Sequence, residues 1–222
     1  MQEIQRKVRL GARALAKAGL VNAYGHCSIR VSDSVFVVCA PKPMGLIGVG
    51  EAGLEVPVEG PLPDGVLGEV RVHQQIYQRR PDVKSVCRVL PPSVLALSAL
   101  GIAPKARHGF GAYFYPEVPL WNNPALLRSD ENAAAVAETL GNASAVVMRG
   151  NGAVTAGHSI EQAVTLAWFL EDTARVELAA LGSGVGDAAP LFTLEQATAR
   201  ATWAGNVAER MWAYLTAGDP EA

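Results

Sequence analysis

The order of β-rich and helical segments along this chain leaves few architectures open. Two short β-rich runs, 27–31 and 35–40, are separated by three polar residues, which predicts a β-hairpin. Two further apolar runs, 144–148 and 153–156, flank a Gly-Asn-Gly turn at 150–152. Strands and helices are mixed without a strict strand–helix–strand repeat. We therefore predict a layered α/β/α domain with a largely antiparallel central sheet.

Several helical segments carry their own start and stop signals. Ser159 and Thr193 each begin a capping box, in which side chains bond the first free backbone N–H groups of a helix. Gly19, Gly101 and Gly141 follow apolar helical segments and predict their ends. The predicted helices cover 4–18, 66–80, 93–100, 131–140, 159–181 and 193–215, with a further strand at 83–90.

Three stretches are less regular. Residues 41–65 are rich in proline and glycine, and we predict a long loop with one short strand near 54–58. Residues 102–124 are rich in aromatic residues and proline and fit no single element. A Gly/Ala-rich linker at 182–190 precedes the last helix, so we expect one domain over residues 1–222.

Composition and charge exclude several classes of function. Half of the 222 residues are hydrophobic, 18% are charged, and the formal net charge is −2, with no basic block for nucleic acid. No apolar run is long enough to span a membrane, and the N-terminus is a charged helix start, not a secretory signal. Three cysteines without a CxxC pair suit a reducing compartment. We expect a cytoplasmic globular protein that acts on a small molecule.

Four segments, in order, carry a family pattern. Residues 22–30 resemble a GN-S-R signature in which His26 takes the place of the asparagine. Residues 69–83 resemble a passage E…H…IY…RPDV, and 147–154 resemble an LLR-HG-V strand turn. The helix at 160–171 follows as in that pattern. Together these segments resemble the class II aldolase/adducin family, which implies that family's fold and a four-fold homotetramer with sites between subunits.

The resemblance also implies a metal site, and here the chain departs from the family. Its members bind a divalent metal with a His-x-His pair after the RPDV strand and a third histidine in the HG turn. Those positions hold Arg88, Leu90 and Asn151 in this chain. A permanent cation and an alkyl side chain cannot ligate a metal, and an amide is a poor ligand for a transition metal. We therefore expect no metal and no other cofactor.

The phosphate pocket of the family's sugar-phosphate aldolases is missing as well. Leu67 and Gly68 precede Glu69, and the loop at 40–43 offers Lys42 as its one anion-binding side chain. This argues against a sugar phosphate as substrate. With the histidine after Gly25, it makes the chain most similar to the branch that decarboxylates aromatic hydroxy acids.

Glu69 and Arg88 are the strongest catalytic candidates. Glu69 matches the family's acid/base carboxylate, and burial in its apolar surroundings would raise its pKa. The alternative is an exposed glutamate in the first turn of a helix. Arg88 interrupts an apolar strand, where an unpaired charge costs several kcal/mol, so it needs an anion. That anion is either Glu69, in a structural ion pair, or a substrate carboxylate that the guanidinium holds by two parallel hydrogen bonds.

Further candidates surround these two. Asn151 is either a turn residue or a hydrogen-bond donor to an oxyanion, and we assign it to substrate binding with His26, Ser28 and Lys42. In relatives the segment of His108 runs near the active site, which makes it a third catalytic candidate because histidine titrates near neutrality.

Two tyrosines complete the set of candidates. By family analogy, Tyr113 and Tyr115 are candidates for a proton donor contributed across a subunit boundary. Ordinary aromatic packing is the alternative for both.

These residues predict a metal-independent lyase of the decarboxylase type. Its substrate would be a small carboxylated molecule, aromatic or a β-keto acid, and Arg88 would replace the metal. A cofactor-free isomerase or cyclase and a non-catalytic scaffold of the adducin type are the alternatives, followed by a metal enzyme with relocated ligands. An ion pair between Glu69 and Arg88 that closes the cavity would favour the scaffold.

Overall fold

The computed structural model describes residues 1–186 and 188–222, and its strands form one seven-stranded sheet. The strands are β1 His26–Arg30, β2 Val35–Val38, β3 Leu54–Pro57, β4 Ser85–Val89, β5 Leu120–Trp121, β6 Ala145–Met148 and β7 Ala153–Gly157. Their order across the sheet is β3-β2-β1-β4-β7-β6-β5. All neighbouring pairs are antiparallel except β5 and β6, which are parallel. The predicted antiparallel sheet is confirmed, with one parallel edge pair added.

Helices cover both faces of this sheet, as predicted. They are α1 Gln2–Lys17, α2 Arg71–Arg79, α3 Pro92–Ala99, α4 Asp130–Leu140, α5 Ile160–Gly182, α6 Leu194–Arg200 and α7 Val207–Thr216. On one face, the Cys27 thiol of β1 donates to the carbonyl of Val8 in α1, and Thr155 of β7 donates to the carbonyl of Ala163 in α5. On the other face, α2 packs against α4 and covers β1 and β2.

Two predicted helices differ from the observed ones. The helix expected at 66–80 begins at Arg71, after a 3-10 turn at Gly68–Val70. The last helix, expected at 193–215, is broken into α6 and α7. Gly205 and Asn206, directly before α7, have φ angles of 76° and 57°, a left-handed conformation that a continuous right-handed helix does not contain. The linker expected at 182–190 includes residue 187, which lies outside the described residues.

The register of β1 and β4 sets the positions of the candidate site residues. Side chains alternate between the two faces of a strand, so His26 and Ser28 share one face of β1. His26 pairs with Arg88 across the β1–β4 ladder, which places both side chains on the face covered by α2.

The β6–β7 turn brings Asn151 to the same end of the sheet. Gly150 and Gly152 have φ angles of 66° and 76°, which glycine adopts at no steric cost. A Cβ atom on Gly152 would lie 2.1 Å from the carbonyl oxygen of Val89. Glycine therefore lets the turn press against the end of β4, next to Arg88.

None of the helices within the described residues has the length and apolar character needed to cross a lipid bilayer. The three cysteines, Cys27, Cys39 and Cys87, are buried and free. They lie in or beside β1, β2 and β4, where they pack as small apolar side chains.

Candidate functional site

A cavity of about 610 Å³ opens at the end of β1 and β4, between the loop around Lys42, the turn before α2 and the β6–β7 turn. Five of the predicted site residues line it: His26, Lys42, Glu69, Arg88 and Asn151. Residues that are far apart in the sequence thus meet in one place.

Arg88 forms the buried wall of this cavity. Its side chain is 3% exposed. Nη2 donates to Oδ1 of Asn151 at 2.6 Å and lies 3.3 Å from Oε2 of Glu69. Nε and Nη1 are buried and have no hydrogen-bond partner among the described residues. Burial lowers the pKa of Arg88 from its ordinary value, partly offset by Glu69, so the guanidinium is a cation held in an unfavourable environment.

Glu69 lies in the 3-10 turn before α2 and is less buried than its apolar neighbours suggested. Its side chain is 21% exposed and faces the cavity. The Arg88–Glu69 pair therefore exists, but it leaves the cavity open. The amide Nδ2 of Asn151 is buried and unpaired among the described residues, so it is a second free donor beside the guanidinium.

His26 is the outermost member of a buried row of polar side chains. Its Nδ1 lies 2.7 Å from Nε2 of His73, and Nδ1 of His73 lies 2.6 Å from Oγ of Ser28. Oγ of Ser28 lies 2.8 Å from the hydroxyl of Tyr77. Burial lowers the pKa of His73 to about 3, with a further contribution from Arg88, and holds that of His26 well below its ordinary value. Both rings are therefore neutral near neutral pH.

Ser28 thus lies behind His26 and does not line the cavity. Its expected role in substrate binding was based on the strand signature. The structure places its hydroxyl between His73 and Tyr77 instead, because side chains two apart on a strand share one face.

The cavity wall carries an excess of positive charge. Lys42, Arg88 and Arg128 line it, against one carboxylate, Glu69. Lys42 is partly neutralised by Glu51 at 2.8 Å, whereas Arg128 is exposed and makes no ion pair within the described part of the chain. A wall of this kind attracts a carboxylate.

Three predicted residues lie elsewhere. His108 has its Nε2 atom 2.8 Å from Oδ2 of Asp172 in α5. Tyr113 donates its hydroxyl proton to the carbonyl of Thr202, and Tyr115 is partly exposed. None of the three lines the cavity within this chain, so their roles in catalysis and substrate binding stay predictions.

The residues that the resemblance assigns to metal-binding positions do not fit a metal. Arg88, Leu90 and Asn151 line one wall of the cavity together, as the resemblance implies. The wall offers a cation, an alkyl side chain and an amide where three imidazoles are needed. Across the described residues, no three His, Cys, Asp or Glu side chains meet in a way that could hold a metal ion.

Two lining residues, Tyr24 and Arg128, were missed in the sequence. Both are exposed loop residues: Tyr24 is a variable position inside the 22–30 signature, and no motif or periodicity marks Arg128. The sequence did contain an indication of the polar row behind His26: His73 and Tyr77 are four residues apart and therefore share a face of α2.

Comparison with known proteins gives consistent matches. The family model "Class II Aldolase and Adducin N-terminal domain" matches residues 6–178. A 3,4-dihydroxyphthalate decarboxylase of Arthrobacter keyseri is 30% identical over 198 residues, covering 80% of this chain and 78% of that protein. The enzyme of the same name from Rhodococcus jostii is 30% identical over 195 residues, covering 78% of each.

A solved structure confirms the fold. The L-fuculose 1-phosphate aldolase of Glaciozyma antarctica has a TM-score of 0.81 to this chain at 21% identity, covering 96% of this chain and 88% of that one. At this identity the likeness concerns the fold alone.

Proposed function

Since the chain belongs to the class II aldolase and adducin family, we propose that it is a decarboxylase-type lyase for a small carboxylated substrate, in which Arg88 takes the place of the family's metal. The substrate class is an aromatic hydroxy acid or a β-keto acid. Two relatives that are 30% identical are named as decarboxylases of 3,4-dihydroxyphthalate, an aromatic hydroxy acid.

The half-paired guanidinium of Arg88 carries this proposal. Leaving the N–H groups of a buried cation without acceptors costs free energy that a purely structural residue would not retain. A substrate carboxylate or enolate supplies acceptor oxygens and an opposite charge. Arg88 and Asn151 both line the cavity, and each keeps buried donors that are unpaired among the described residues.

These groups suit the electron flow of a decarboxylation. When a β-keto acid, or the keto tautomer of a hydroxy-aromatic acid, loses CO2, the electron pair of the broken C–C bond moves onto an enolate oxygen. Donors already in place stabilise that oxyanion. In a β-keto acid the carbon that lost CO2 then takes up a proton, whereas in a hydroxy-aromatic acid that carbon takes up its proton beforehand, when the keto tautomer forms. Glu69 is the carboxyl group of the cavity wall that could carry this proton.

The open cavity argues against a non-catalytic scaffold. A dead site would be expected to close over its ion pair. Here Glu69 and Arg88 make a single contact of 3.3 Å, and about 610 Å³ remains beside them.

We further propose a homotetramer in which a neighbouring subunit brings Tyr113 or Tyr115 towards this cavity. Pocket-lining residues 113–119 and 142–145 surround a separate surface depression in the single chain. Multi-angle light scattering of the purified protein tests the assembly, and a monomer would refute it.

The decisive test is CO2 release by protein purified without a histidine tag, with and without prior treatment by a chelator. The probes are 3,4-dihydroxyphthalate, 2,3-dihydroxybenzoate and oxaloacetate. We expect turnover of at least one probe, insensitive to the chelator and reduced about 100-fold or more in Arg88→Met. Turnover that disappears on chelation refutes the proposal that the reaction needs no metal. The absence of turnover with all three probes refutes the proposal that the protein is a decarboxylase-type lyase.

A further inference from the structure

The hydrogen bonds of the polar row behind His26 all run in one donor-to-acceptor direction, which follows from counting the hydrogens that its side chains carry. Tyr77, Ser28, His73 and His26 are all buried and linked by contacts of 2.8, 2.6 and 2.7 Å. The Tyr77 hydroxyl has Ser28 as its one hydrogen-bond partner among the described residues. A buried hydroxyl hydrogen without an acceptor destabilises the fold. Tyr77 is therefore the donor in its contact with Ser28.

The positions of the hydrogens on Ser28, His73 and His26 then follow. Ser28 has a single hydroxyl hydrogen, and since it accepts from Tyr77, it donates to Nδ1 of His73. A neutral imidazole carries one N–H, so the hydrogen of His73 is on Nε2 and points at Nδ1 of His26. The hydrogen of His26 must then be on Nε2. In the opposite direction, the Tyr77 hydrogen and the Nε2 lone pair of His26 would both lack a partner, whereas in this direction the Nε2–H of His26 is the one group left unpaired among the described residues.

The free end of the row faces the site. Nε2 of His26 is buried and has no partner among the described residues, and His26 lines the cavity. The β1–β4 register sets it opposite Arg88, on the same face of the sheet. Its N–H therefore joins the free donors of Arg88 and Asn151.

We infer that Tyr77, Ser28 and His73 are positioning residues that hold His26 as the Nε2–H tautomer, so that its ring N–H is a fixed donor to an anionic oxygen of the substrate. The tautomer stands on the hydrogen-bond geometry alone. The donation to substrate rests on the proposed function. A neutral donor stabilises an oxyanion without adding another buried charge beside Arg88.

Nitrogen NMR tests the tautomer without any substrate. Protein labelled with ¹⁵N at its four histidines is recorded at neutral pH, and His26 and His73 are assigned with single-residue variants. We expect both rings to be neutral, with the hydrogen on Nε2. A hydrogen on Nδ1 of His26, or a charged ring at either position, overturns the inference.

Serine variants test whether the Ser28 hydroxyl fixes the tautomer of His26. Ser28→Ala removes the hydroxyl that fixes His73, so we expect His26 to show a mixture of both tautomers, and Ser28→Thr to restore the single one. Ser85→Ala is the matched control: Ser85 is equally buried on β4, and its hydroxyl donates to the backbone carbonyl of Ser28, outside the row. A single unchanged tautomer of His26 in Ser28→Ala overturns the inference that Ser28 fixes this tautomer through His73.

Kinetics separates this inference from the proposed function. With a probe that the wild type decarboxylates, we expect Ser28→Ala to lower kcat about fivefold with little change in KM, and Ser85→Ala to change neither. Equal kcat in both variants refutes the catalytic role of the donor. If no probe is turned over, the proposed function fails, whereas the NMR result still decides the tautomer.

Discussion

Replacing Arg88 with methionine should remove function without lowering stability. Methionine is an unbranched apolar side chain that fills most of the inner part of this buried space and removes the charge. The guanidinium gains one charge-assisted hydrogen bond to Asn151, worth about 1.5–3 kcal/mol, and the attraction of Glu69 at 3.3 Å. Against this stand a desolvation penalty of several kcal/mol and two nitrogens without partners. These opposing contributions nearly cancel, so we expect the free energy of unfolding to change by no more than about 1 kcal/mol.

The reciprocal change should be more damaging. Glu69→Gln removes the one carboxylate near Arg88 and leaves a buried cation that is 3% exposed, so we expect a loss of about 1–3 kcal/mol. Glu69 itself is 21% exposed and remains hydrated when Arg88 is replaced. The two variants therefore differ in stability because their surviving partners differ in burial.

Urea unfolding at equilibrium measures both changes, and Arg30→Met is the reference for a structural arginine. Arg30 is buried on β1, outside the cavity, and donates to the carbonyls of Val83, Tyr77 and Arg80. Its loss removes this donor from the carbonyls of Val83 and Tyr77, whereas the Arg80 carbonyl still accepts from the Val83 N–H, and we expect about 2–4 kcal/mol of destabilisation. If Arg88→Met lowers the free energy of unfolding by about 3–5 kcal/mol in the same way, Arg88 is a structural ion-pair residue, and its proposed functional role is refuted.

Three further results are expected. Elemental mass spectrometry of the tag-free protein should find less than about a tenth of an equivalent of any transition metal, and near-stoichiometric zinc, manganese or iron would favour relocated ligands. Gly152→Ala should cost more than about 2 kcal/mol, because its Cβ would meet the Val89 carbonyl at 2.1 Å with φ at 76°; thermal unfolding close to wild type would contradict this. Hydrogen bonds from Arg9 and, to a smaller extent, Arg13 lower the pKa of Glu221 from 4.5 to about 2. The ionised carboxylate therefore contributes its full stabilisation above pH 4.5, and this contribution is lost as the pH falls towards 2. Glu221→Gln should lower Tm by about 2–4 °C at neutral pH and remove that part of the acid dependence, as thermal scans across this range will show.

Most of the secondary structure could be predicted because its causes are local. The β1–β2 hairpin follows from two β-rich runs around a short polar turn, and α5 follows from its Ser159 cap. The two-residue strand β5 could not be predicted, because its parallel pairing with β6 depends on a partner 27 residues away. The break between α6 and α7 had its signal in Gly205 and Asn206, which the apolar pattern on either side outweighed.

The sequence by itself led to the prediction that the family's three metal-binding histidines are replaced, since the resemblance places those positions at Arg88, Leu90 and Asn151. It also placed Glu69, Arg88 and Asn151 as candidates for one site. Only the tertiary structure decided that Arg88 has free buried donors and that His73 stands between His26 and Ser28. The physical reason is that hydrogen bonding and burial depend on neighbours brought together by folding, such as His26 and His73, which are 47 residues apart.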